Sequence, residues 1–523
     1  MAPKAQELLN RGPNNFSPVR RLARDAALMA AMTFSLVAGA AGAAHEPRTL
    51  RVALELLPRA FANPHTTSLS PTIFSIAALY DGLTRFDDDG NLSPALAQGW
   101  ERIDPLTWRF RLRPGVTFSN GRPLTADAFV TAVNYLSSAD AARENLPREI
   151  PYLKSARRID DLTFDLVTTE PIATLPRQAT AIMAAEPDAW RQLGRDGFSR
   201  APVGTGPFKI ASMDVNRWEL TAAPGAWRAP KVDRLEFVAL PDALARVQAL
   251  AAGRVDVAMS IGPDNADALG AAGGRLGQFT GPTVVAISLM TVRGGPMADV
   301  RVRRALNHAI DRQRIVEVLL VGATVPTGQP APRRALGYDP AIAPYAFDPD
   351  LARRLLAEAG YPDGFTFTLA APISASANDS LVYVQIQADL RDIGVAMTID
   401  TLPLPVFLER SSRTTHTSEA FTLAWTSWPA MDILRPMRGH SCLNPAPFYC
   451  EPSVTPMITA AIAEMDEAVA VNMRRTLARH YHDQASGIFL YELPILVGLG
   501  PRVENFEMFG YRIHYDRIRL GPD

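Results

Sequence analysis

TWRFRLRPGVTFSNGRPLTADAFV, Thr107 to Val130, contains both a strand and the start of a helix. In its first half Trp108, Phe110 and Leu112 alternate with Arg109, Arg111 and Arg113, so one face is apolar and the other charged. That period of two describes a strand of a half-solvated antiparallel sheet. In its second half Thr125 stands where a helix cap belongs, ahead of Phe129, Val133 and Leu136 at i, i+4 and i+7. A strand handing over to a helix at this range implies a mixed α/β chain.

Outward from this stretch the same interleaving continues. Upstream, Thr49–Leu54 alternates as a first strand; downstream, a strand pair is expected around Ile159–Val167. Val203-Gly-Thr-Gly-Pro-Phe-Lys-Ile210 lacks the third glycine and the Lys-Ser ending of a phosphate loop, so it reads as a turn opening a strand. Strands follow at Trp218–Thr221 and Leu235–Leu240. Val302, Ala305, Leu306, Ala309 and Ile310 form a helical stripe, with Arg301, Arg303 and Arg304 on its solvated face. Asp348 and Pro349 open another helix, which Gly360 ends, and residues 457 to 485 are helical. No internal repeat or low-complexity segment is present.

The 523 residues, 47% hydrophobic and 20% charged, exceed one ordinary domain and carry a formal charge of −1. No run of like charge suggests a nucleic-acid partner. At the N-terminus Arg20, Arg21 and Arg24 precede an apolar run from Ala26 to Gly39 and small residues up to Ala44. This order reads as a secretory signal peptide over residues 1–44, cleaved after Ala43 or Ala44, with no cysteine there to carry a lipid. A periplasmic location follows, and no later segment is apolar for long enough to span a membrane. The two cysteines, Cys442 and Cys450 in HSCLNPAPFYCEP, suit a local disulfide in an oxidising compartment. A metal site on His440, Cys442 and Cys450 lacks a fourth ligand, so neither metal nor cofactor is expected. His480 and His482, two apart, make a poor metal pair on a helix. HExxH, GxSxG, Walker and CxxC motifs are absent, so no catalytic residue is assigned.

LYDGLTRF (79–86), LSPALAQGW (92–100), the quoted stretch, GTGPFKI (204–210), AAGRVDVA (251–258), VRVRRALNHAIDRQRI (300–315) and YAFDPDLARRLLAEAGYPDG (345–364) occur in this order. The series resembles the extracytoplasmic solute-binding proteins, family 5, of peptide and nickel ABC importers. The resemblance implies a two-lobed Venus-flytrap α/β fold with an extra small domain, three domains in total. Lobe 1 would comprise residues 45–74, 200–283 and 491–523, the small domain 75–199, and lobe 2 residues 284–490. It also implies a monomer that captures a small solute between its lobes by hinge motion and presents it to the transmembrane subunits of an ABC permease, with no chemical change.

In that family a strand of the second lobe faces the ligand at TLAWTSWPAMDILRPM, Thr422–Met437. Dipeptide and oligopeptide binders place an aspartate three residues after the tryptophan equivalent to Trp425; here that position is Trp428. They also hold the ligand carboxylate with an arginine where this chain has Ile373–Ser380, without a basic residue. The expected ligand is therefore a compound with a flat or apolar surface, whether peptide-like, an opine, a sugar or a chelate, and not an ordinary dipeptide. Trp425 is the favoured cleft residue and Trp428 is either ligand wall or inter-lobe packing. Asp432 and Arg435 could bind polar ends of the ligand or pair with each other at i, i+3, the second being favoured for Arg435. From the first lobe, His65, Thr66 and Thr67 could hydrogen-bond the solute. Two other readings stay open: a sensor ligand for a membrane receptor, and an exported hydrolase.

Overall fold

The computed structural model describes residues 47–66, 70–372, 378–413 and 415–522. The expected signal peptide, Thr67 and most of the Ile373–Ser380 segment lie outside the described residues. Strand β1 (Thr49–Leu54) is buried on both faces, Leu50, Val52 and Leu54 entering one apolar cluster and Ala53 another. A hairpin of β2 (Thr84–Phe86) and β3 (Leu92–Pro94) follows.

The chain then builds an antiparallel sheet from β4 (Ala97–Asp104), β5 (Thr107–Leu112), β6 (Leu153–Arg158) and β7 (Thr163–Thr168), in the order β4-β5-β7-β6. In β5 Phe110 and Leu112 are buried while Arg111 is exposed and Arg109 pairs with Asp165 at 2.7 Å. The helix Asp127–Leu136 lies over this sheet; Phe129 stacks on Phe164 at 5.3 Å, and Phe164 on Phe110 at 5.7 Å. Thr125 does not cap it: the cap position is Ala126 and no side chain bonds the first turn.

Nine further strands form one large sheet with β1. They are β8 (Phe208–Met213), β9 (Arg217–Ala222), β10 (Arg234–Ala239), β11 (Val257–Met259), β12 (Arg275–Leu289), β13 (Phe365–Pro372), β14 (Val395–Leu402), β15 (Ala420–Thr426) and β16 (Gly487–Leu499). The order is β14-β13-β15-β12-β16-β11-β1-β10-β9-β8. Two parallel groups are visible within it: β1 beside β10 and β11, and β13 beside β14 and β15. The long antiparallel pair β12 and β16 joins them; their register breaks between Thr280 opposite Pro494 and Val284 opposite Glu492, and shifts again between Val285 and Ala286. Beyond the break, β12 pairs with β15 from Thr283 opposite Thr426 to Leu289 opposite Ala420.

These registers orient the site. The carboxyl ends of β1 and β11 point toward the break from one side, and those of β13 and β15 from the other. Two half-sheets with separate cores thus present their carboxyl ends to a shared crevice, where α/β proteins bind ligands. The molecule is a two-lobed α/β protein with a small antiparallel domain whose own core centres on Phe110, Phe129 and Phe164.

Several further local expectations are met, and a second one, after the cap at Thr125, is not. Asp348 accepts a bond from the Leu351 amide at 2.8 Å and caps the helix Pro349–Glu358. Residues 457 to 485 fall in two helices, Val454–Ala463 and Glu467–Asp483. Cys442 and Cys450 form a disulfide. Arg303, however, is 5% exposed instead of solvated. Its planar fork donates to the carbonyls of Met297, Ala298 and Gln484 at 2.8 to 3.0 Å, satisfying chain ends that packing has sealed from water. Among the described residues no helix is long and apolar enough to cross a membrane.

Candidate ligand-binding cleft

β15 delivers the tryptophans. On a strand Phe421, Leu423 and Trp425 share one face, and that face enters the aromatic core of lobe 2. Trp425 is fully buried; Phe489 meets it edge-on at 5.0 Å, His440 lies at 4.5 Å, and its indole N–H donates to Ser288 Oγ at 3.2 Å. The cleft wall expected at Trp425 is thus not what its packing shows, because the strand's alternation turns the ring inward.

Trp428 lies beyond the end of β15, where alternation no longer binds it. It is 2% exposed, yet its neighbours, Phe86 at 6.2 Å and Tyr511 at 6.0 Å, belong to the apolar cluster built on β1. Gly510 (φ +57°) lets the ring in, since a Cβ there would come within 2.6 Å of the indole. Tyr511 in turn shares a hydrogen bond of 2.8 Å with Thr283, the residue paired with Thr426 at the register break. No partner among the described residues reaches Trp428 Nε1 or the adjacent Ser427 Oγ, both buried.

The two charged candidates do not pair with each other, which corrects the expectation from their spacing. Asp432 is bound twice by Arg474, at 3.0 and 2.9 Å, in a pair with side-chain exposures of 4% and 0%. Arg435 grips Glu149 of the small domain through Nε and Nη2, at 2.9 and 2.5 Å, and donates from Nη1 to the Thr426 carbonyl at 3.1 Å. Asp432 precedes the helix Leu434–His440 instead of lying within it, so helical spacing does not govern the two side chains.

His65 is fully buried between Tyr135, at 5.4 Å, and Trp190, at 4.9 Å. Burial pushes its pKa down to about 4 against the opposing pull of Glu144, and neither ring nitrogen has a partner among the described residues. The Thr66 carbonyl accepts from the Asn145 amide at 3.4 Å. Both residues therefore pack on the small domain. The residues that sequence reading missed, Phe86, Glu149, Gly510 and Tyr511, come from distant parts of the chain. Only LYDGLTRF, which ends on Phe86, carried any signal of them.

A profile described as bacterial extracellular solute-binding proteins, family 5 Middle, matches residues 91–440. Glutathione-binding protein GsiB of Pectobacterium atrosepticum is 28% identical over 442 residues, covering 81% of this chain and 84% of that protein. Heme-binding protein A of Haemophilus influenzae is 28% identical over 481 residues, covering 84% and 86%. Among solved structures, the ABC transporter-associated periplasmic binding protein DppA of Helicobacter pylori, in complex with the peptide STSA, superimposes with a TM-score of 0.78. It is 21% identical and covers 90% of this chain and 98% of its own. Proteins of this kind bind solutes for transporters and are not enzymes, and the match takes in the crossing strand β12, the parallel group β13, β14 and β15, and the segment carrying Trp428. This chain belongs to the bacterial extracellular solute-binding proteins, family 5, the substrate-binding components of ABC-type importers.

Proposed function

We propose that this chain, exported through residues 1–44 and without a lipid anchor, captures a solute with a flat or apolar surface and hands it to an ABC permease. The observation that carries the reading is the segment from Ser427 to Arg435. It leaves lobe 2 at the crevice and seats Trp428 against lobe 1, while Asp432 and Arg435 are each neutralised by an internal partner. A ligand ammonium enclosed here would find neither Asp432 nor Glu149 free, since each is held by an arginine, and burying an unpaired charge costs ~several kcal/mol. An indole offers stacking area for a ring, a sugar face or the apolar part of a chelate or opine. Trp428 is the wall in this reading and Trp425 the support behind it.

Mass spectrometry of the compound that co-purifies with the natively expressed protein tests it, followed by thermal-shift measurement with that compound. The expected result is a solute with an extended planar or apolar surface, bound about 1–3 kcal/mol more weakly by Trp428→Ala. An ordinary zwitterionic di- or tripeptide that co-purifies and stabilises the protein overturns the reading.

A further inference from the structure

Several contacts that shape the crevice-facing segment come from the small domain. Between Thr426 and Met431 the chain has left β15 and its carbonyls need donors from elsewhere. Arg435, held by Glu149, serves the carbonyl of Thr426 at 3.1 Å. Thr180 Oγ1 serves Pro429 at 3.1 Å, and Arg177 Nε serves Ala430 at 2.8 Å. The Arg177 guanidinium also lies 4.8 Å over Phe86, the ring in the β1 cluster on which Trp428 packs. Further along the same face the Ala173 amide donates to the Ile462 carbonyl at 3.1 Å, and Arg438 lies 5.4 Å over the Tyr152 ring. The ion pair is two-pronged and half-buried, with side-chain exposures of 23% and 13%, the geometry in which an arginine fork is most selective for a carboxylate.

We propose that the small domain is a third jaw of the binding machinery, and that Glu149 is a positioning residue. By holding Arg435 it fixes the Thr426 carbonyl, where the segment leaves β15 for Trp428, in the closed arrangement. The proposal rests on the reading that the crevice between the lobes takes the solute, but it concerns shape and is read without one. When the lobes part, the segment must leave either lobe 1 or the small domain, so these contacts couple lobe 2 to the small domain in the closed state.

The test uses the mature chain purified under native conditions, with small-angle scattering for overall dimensions and amide hydrogen exchange for peptides covering 426–431. Glu149→Arg and Arg435→Glu are each expected to raise the radius of gyration and to speed exchange in those peptides. The double exchange of charges is expected to move both readouts back toward wild type, which a merely local structural role would not do. Folded single variants with wild-type dimensions and exchange overturn the proposal, as does a double variant no closer to wild type than the singles. Should the charge reversals fail to fold, Thr180→Val removes one donor at constant shape. It is expected to speed exchange at 429–431 with an unchanged circular dichroism spectrum; unchanged exchange overturns the proposal. A co-purifying dipeptide would sink the ligand assignment while leaving these readouts as they are.

Discussion

Arg474 is a guanidinium with no exposed side-chain surface. Its Nε and Nη2 bind Asp432, and its Nη1 donates to the carbonyls of Ala461 and Ala470 at 3.0 and 3.1 Å. Deleting one member of such a pair strands the other charge in a dry interior. Asp432→Asn is therefore expected to lower stability by about 3–5 kcal/mol, read as a fall in the urea midpoint. A loss under about 1 kcal/mol, the range of a solvated pair, would contradict the enclosure seen here. His65 is the second test at this scale. Its folded-state pKa of about 4 lies below the ordinary value of 6.5, so the unfolded chain takes up a proton first as pH falls. Its contribution is whole above pH 6.5 and is lost progressively as pH drops toward 4, about 3 kcal/mol in all. His65→Gln is expected to flatten that part of the stability profile, and an unchanged slope between pH 6.5 and 4 counts against it. Neither environment is written in local sequence. Asp432 looks to Arg435 by spacing, whereas its partner stands 42 residues away, and the burial of His65 depends on Tyr135 and Trp190 of another domain.

Single elements were far more legible. Strand β5 shows itself in the alternation of Trp108, Phe110 and Leu112 with arginines, because one face must be dry and the other wet. The helix Pro349–Glu358 is announced by Asp348 and Pro349, whose chemistry acts within one turn. The loop between Cys442 and Cys450 is local too, which is why its disulfide could be read. Replacing both cysteines by serine is expected to cost about 2–3 kcal/mol, with the double variant insensitive to reductant and the parent not. A parent equally indifferent to reductant would show that the bond contributes nothing. Where alternation stops, the reading stops with it. Trp425 belongs to β15 and follows its inward face; Trp428 lies past the strand end and answers to Tyr511, Gly510 and Phe86. Stability measurements separate the two: Trp425→Ala is expected to cost about 3–5 kcal/mol of folding free energy, as a large aromatic deleted from a core does. Trp428→Ala should cost less folding energy and more affinity, and equal losses of stability in the two variants would show that both are core.

At the scale of the whole molecule the lobes are joined by β12 and β16, and the wider of their register breaks, between Thr280 and Val284, is the place where relative motion has least hydrogen bonding to disturb. Gly281 stands in that break, where a Cβ would lie 2.5 Å from the carbonyl oxygen of Leu493 on the opposite strand. A backbone atom cannot swing aside as a side chain can, so a methyl group there must push the two crossing strands apart. Because the carboxyl ends of both half-sheets point at this spot, a displacement of under an ångström at the crossing is carried to the tips of both lobes. Gly281→Ala is therefore expected to alter the radius of gyration of the compound-free protein and to weaken retention of the co-purifying compound. Gly270→Ala, in the helix Ala266–Ala271 with nothing near its added Cβ, serves as the control and should leave both unchanged while gaining about 0.5–1 kcal/mol of stability. A Gly281→Ala protein that keeps wild-type dimensions and retention would mean that the lobes pivot elsewhere, and that the break in register is a twist of the sheet and not its hinge.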